Sequence, residues 1–77
     1  MKTTLEQVKE AASNFLAIAD KLNEKVSRYI NGSNEDADAK AYWTVRDADR
    51  VFINAVNSYY NDNYKFGLNY ELAESFV

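Results

Sequence analysis

The sequence predicts an all-α protein: an antiparallel hairpin of two long helices plus a short C-terminal aromatic segment or helix, expected to self-associate into a helical bundle. Three features predict it. Apolar residues recur at alternating steps of three and four through both long segments, there is no proline, and the only two glycines, Gly32 and Gly67, each follow a stretch with that period. The whole chain, 1–77, reads as one domain with no internal repeat, linker or low-complexity tract.

The first helix is expected over about residues 3 to 30. Its seam runs through Leu5, Val8, Ala12, Phe15, Ala19, Leu22, Val26 and Tyr29. Thr3 or Thr4 can accept the first free backbone N–H groups, with Glu6 placed for a capping box from Thr3. The Asn31-Gly32 pair offers a left-handed C-cap. Such a helix of about 27 residues is roughly 40 Å long at 1.5 Å per residue. Around its middle Ala11, Leu16 and Ile18 flank the seam, and an apolar arc that wide calls for more than one neighbour.

Ser33, Asn34, Glu35 and Asp36 supply cap and first-turn residues for the second helix, expected over about 34 to 62. Its seam is Ala41, Val45, Ala48, Phe52, Ala55 and Tyr59, and it is expected to fray near Asn61-Asp62-Asn63. The short connection folds the two helices back antiparallel. In the tail, 63 to 77, Tyr64, Phe66, Leu68 and Tyr70 alternate with polar residues or glycine, a strand period with no second strand to pair with. An extended loop packed across the hairpin is the better reading, followed by a short helix capped by Asn69 and carrying Leu72, Ala73 and Phe76.

A 77-residue chain buries only about 60 % of its unfolded surface, so its core is thin. With no Cys and no His, neither a disulfide nor a common zinc site can staple it, which leaves efficient helix packing or a homodimer. Glu6, Lys9 and Glu10 interrupt the N-terminal stretch where an export signal needs an apolar run, and no segment is apolar over membrane-spanning length, so a cytoplasmic location is expected.

No enzymatic activity and no cofactor or metal are expected. The usual nucleophile and base pairs need His or Cys, and there is no Gly-rich loop to cradle phosphate. The acids at 34–38 read as a helix start that complements the macrodipole. Asp47 and Asp49 diverge by about 200° on a helix and cannot share a metal unaided. Glu24 with Arg28 and Asp36 with Lys40 read as surface i,i+4 pairs.

The single tryptophan lies off the seam of the second helix. Trp43, Arg46, Arg50, Ile53, Asn57 and Tyr60 recur at steps of three and four and form a second, outward stripe, rich in the residue types found at binding hot spots. Three occupants remain open at this level: the chain's own tail, a second copy, or a foreign partner. For a foreign partner, protein is favoured over a nucleotide or single-stranded nucleic acid, because the formal net charge is −3 and Asp47 and Asp49 sit beside the arginines. A purely structural bundle is the bland alternative. By analogy, the small size and the Asn- and Tyr-rich, Cys- and Pro-free composition suit a phage or mobile-element accessory protein. The function expected is that of a small non-enzymatic protein that binds and regulates or inhibits a larger protein target.

Overall fold

The computed structural model describes residues 3–77; Met1 and Lys2, part of the stretch read for an export signal, lie outside them. All secondary structure among the described residues is helical: α1 Leu5–Lys21, α2 Asn23–Ile30, α3 Asp36–Tyr60 and α4 Tyr70–Glu74. The molecule measures 40 × 20 × 20 Å, the proportions of a hairpin of long helices with a thin layer across it. Among the described residues no helix is long and apolar enough to cross a membrane.

α1 starts with a capping box, one residue later than expected. The Thr4 hydroxyl accepts the Gln7 N–H at 3.2 Å, and the Gln7 side chain accepts the Thr4 N–H at 2.8 Å, so Gln7 rather than Glu6 closes the box. The helix expected to run unbroken to residue 30 is interrupted at Leu22, whose φ of −105° and ψ of 12° separate α1 from α2. The interruption is local. Leu22 N–H still donates to Ile18 C=O, Val26 N–H still donates to Leu22 C=O, and the seam stays buried on both sides at Ala19 and Val26.

α2 ends in a Schellman motif. Ser33 N–H donates to Arg28 C=O and Gly32 N–H to Tyr29 C=O, with Gly32 at φ +100°, where a Cβ would be strained. Across this turn the Arg28 guanidinium reaches Asp38 in the first turns of α3 through Nε at 3.2 Å, and Ser33 Oγ donates to the same carboxylate at 2.7 Å. Arg28 therefore joins two helices instead of pairing along its own helix with Glu24. This is the one ion pair among the described residues. The Arg28 hydrogen bond, and after it that of Ser33, holds the Asp38 carboxyl below the usual carboxylate range.

The buried line of α3 departs from the heptad seam. Asp38, Ala41, Val45, Asp49, Phe52 and Val56 are buried, while Ala48 and Ala55 are half-buried and Tyr59 is exposed. The buried positions advance by 3, 4, 4, 3 and 4, the 3.6-residue repeat of a straight helix, whereas a strict 3.5 repeat drifts off that line by about 20° per heptad. At the centre Phe15 and Phe52 lie parallel at 6.1 Å, Tyr70 stacks on Phe15 at 5.5 Å, and Phe76 meets Phe52 edge-on at 5.8 Å. Phe15 and Phe52 are fully buried, each contributing about 1.5–3 kcal/mol. α4 supplies the second neighbour that the wide arc of α1 calls for, packing on it with Ala73 fully enclosed.

Candidate functional site

The tail determines which part of the outward stripe remains available. After Tyr60 the chain reverses at Asn61, which adopts the left-handed conformation (φ 54°), and residues 62–69 return along α3 without regular structure. Two α3 side chains hold them by reading backbone. Asn57 donates from Nδ2 to Tyr64 C=O at 3.0 Å and accepts Tyr64 N–H at 2.9 Å. Asp49 accepts Gly67 N–H at 2.8 Å, Asn69 N–H at 3.0 Å and the Asn69 side-chain amide at 2.8 Å. The alternating Tyr64, Phe66 and Leu68 are thus an extended run bound to side chains of a helix, with no strand beside them. Asn69 stands at the N-cap of α4 as expected, but its side chain makes no capping bond and turns to Asp49 and Lys65 C=O instead.

The six stripe residues consequently part company. Ile53, expected to face outward, has no exposed surface: it lies in the core, on the side of α3 that the tail covers. Asn57 is engaged with Tyr64. Tyr60, 52 % exposed, stands at the far end against Tyr59 and Phe76. Arg50 is exposed and lies over the Phe66 ring, its guanidinium carbon 5.2 Å from the centroid.

Trp43 is 51 % exposed, beyond the reach of the tail. It belongs to a cluster at the turn end of the hairpin, where Tyr29 and Tyr42 lie 4.7 Å apart and Trp43 meets Tyr42 edge-on at 5.1 Å. The Arg46 guanidinium sits over both rings, 5.4 Å from Trp43 and 5.8 Å from Tyr42, and Nη1 donates to the Tyr42 hydroxyl at 3.2 Å. Neither Arg46 nor Arg50 has a carboxylate within ion-pair distance among the described residues. The ring faces fix where the guanidiniums lie, and among the described residues their only hydrogen bond is that of Arg46 to Tyr42.

On another side of the hairpin a shallow groove runs between α1 and α3, lined by Gln7, Ala11, Asn14, Val51, Ala55 and Ser58, with Val51 62 % exposed. Among the described residues no group of acids converges in a way that could hold a metal ion. The two buried carboxylates, Asp38 and Asp49, are both saturated by internal donors and belong to the architecture. Sequence reasoning passed over both because an acid does not look like a core residue. Their signal was positional: they continue the straight-helix line through Ala41, Val45 and Phe52.

The class that fold and surface define is an all-α helical hairpin with an aromatic and cationic surface at its turn end. The chain matches no family model, and no curated protein or solved structure matches it.

Proposed function

We propose that this chain is a small non-enzymatic protein that binds a larger protein target, and regulates or inhibits it, through the bare half of the α3 stripe. The observation that carries this reading is the cluster of Trp43 and Arg46, a half-exposed indole beside a guanidinium with no carboxylate partner. Trp and Arg are the residue types whose truncation most often costs an interface heavily. The residue inventory supports a binding role over catalysis, since His and Cys are missing from the sequence. Its placement in a phage or mobile element rests on composition and size by analogy, and its placement in the cytoplasm on the charged Glu6, Lys9 and Glu10 in the N-terminal stretch.

Replacing Trp43 with Ala tests the reading. It is expected to lower affinity for the target at least tenfold, about 1.4 kcal/mol, while unfolding free energy by urea changes by less than about 1 kcal/mol, as at other half-exposed positions. Loss of the folded state in Trp43→Ala would mark the cluster as packing, and the reading would fall.

A homodimer is proposed alongside, supported by the exposed Val51 in the groove of small side chains between α1 and α3. Sedimentation should show a species heavier than 8.8 kDa, and Val51→Glu should return it to the monomer mass. A monomer at high concentration in the unmodified protein removes this part.

A further inference from the structure

The bare half of the α3 stripe has a definite sign and spacing. Arg46 and Arg50 are one helical turn apart, which brings their side-chain bases within about 6 Å. Each guanidinium lies on an aromatic face, Arg46 over Trp43 at 5.4 Å and Arg50 over Phe66 at 5.2 Å, and no carboxylate of the described residues pairs with either. Asp49, the acid whose place in sequence would neutralise them, is buried and turned to the amides of Gly67 and Asn69. Asp47, on the same helix, makes no ion pair with either arginine. Trp43 and Phe66, 51 % and 42 % exposed, flank the two cations with apolar area.

Resting on the binding role proposed above, we infer that the Trp43–Arg46–Arg50–Phe66 surface docks an acidic segment of a protein partner. Two carboxylates of that segment meet the two guanidiniums, and an apolar side chain covers Trp43. A pre-oriented guanidinium fork suits a carboxylate, and stacking has already restricted both side chains, so less freedom is lost on binding. The spacing fits acids two apart on an extended strand or four apart on a helix, both about 6–7 Å. A nucleic-acid strand could also stack on Trp43, but two cations neutralise about two phosphates, against the 6–10 contacts of a strong binder, and the chain carries a formal net charge of −3. The short reach of the patch decides for a local acidic motif.

The test is selection of a random twelve-residue peptide display library on the full chain at low ionic strength. Binding of the enriched peptides, each carrying a fluorescein label, is then followed by fluorescence anisotropy, a readout that does not depend on Trp43, the only tryptophan. Enriched peptides should carry paired Asp or Glu at spacing two or four beside an aromatic or large aliphatic residue. Arg46→Ala with Arg50→Ala should weaken them at least about tenfold, the scale of one lost charge-assisted pair, and Arg46→Glu with Arg50→Glu should abolish binding, with circular dichroism unchanged. Enriched peptides without excess acid, or binding indifferent to the arginines but lost in Trp43→Ala, would overturn the acidic occupant and leave the Trp43 site standing. Binding indifferent to all three residues, or no enrichment at all, would overturn both. Tighter binding of an oligothymidylate with a steep salt dependence would replace the acidic segment by nucleic acid.

Discussion

α3 buries two aspartates, and they stabilise the fold in different ways. Asp38 meets a full opposite charge on Arg28 and a hydroxyl on Ser33, both within ten residues in sequence, and so closes the turn between α2 and α3. Asp49 meets no cation; three N–H donors from Gly67 and Asn69, 18 and 20 residues away, hold it, and so it fastens the tail across α3. A carboxylate paired with a neighbouring charge secures a local reversal. One satisfied by backbone N–H groups can anchor a segment that has no secondary structure of its own, because it supplies the acceptors that a strand or helix would otherwise provide.

Breaking Asp49 should therefore have the larger effect. Asp49→Ala leaves two backbone donors without their acceptor. Individual hydrogen bonds to a charged group contribute about 1.5–3 kcal/mol and are not additive, so an overall loss of about 2–4 kcal/mol is expected. Urea unfolding gives the magnitude, and limited proteolysis should show early cleavage between residues 62 and 69. A loss below about 1 kcal/mol would mean the tail is held by the Asn57–Tyr64 pair and by Tyr70, Ala73 and Phe76 without need of Asp49.

Asp38→Ala should destabilise less, because Arg28 is free to return to solvent when its partner is removed. This pair also carries a pH signature. The folded state depresses the Asp38 pKa, chiefly through the Arg28 hydrogen bond, so the stabilisation is fully present above the unfolded value near 3.9 and is lost as pH falls through the lower folded value. The wild-type loss of stability on acidification below about pH 4 should be shallower in Asp38→Ala, measured by thermal melts across pH 2 to 6. Tyr70 acts at the opposite end: burial, then the Asp49 charge, raises its phenol above the usual value, so its contribution is present below about pH 10 and declines above it.

The smallest effects separate the two glycines. Gly32→Ala forces a Cβ into φ +100° and should cost about 1 kcal/mol or somewhat more. Gly67 has open space around its Cα and no positive φ, so Gly67→Ala should fall within about 0.5 kcal/mol of wild type. A cost at Gly67 equal to that at Gly32 would show that the Asp49 anchor demands glycine's backbone freedom.

Much of the hairpin was legible in sequence because it is written in local chemistry. The apolar spacing of Val8, Ala12, Phe15 and Ala19 names the inner face of α1, and Asn31-Gly32 names its reversal. The outward stripe was legible as a row of residues but not as a surface. Whether Ile53 faces solvent depends on a segment that begins nine residues after it and carries no period that a helix would recognise.

The sequence by itself determined the long helical segments and their order, though not the break at Leu22, together with the reversal at Gly32 and the core position of Phe15 and Phe52, since propensity, capping and periodicity act over a few residues. Tertiary structure alone decided that two aspartates belong inside, that Ile53 is covered and that Trp43 with Arg46 is not. Asp38 is enclosed by the Arg28 and Ser33 contacts across the turn; the other outcomes turn on where residues 62–69 lie, and that position is set by the bonds of Asn57 to Tyr64 and of Asp49 to groups about twenty residues away, which no local pattern encodes.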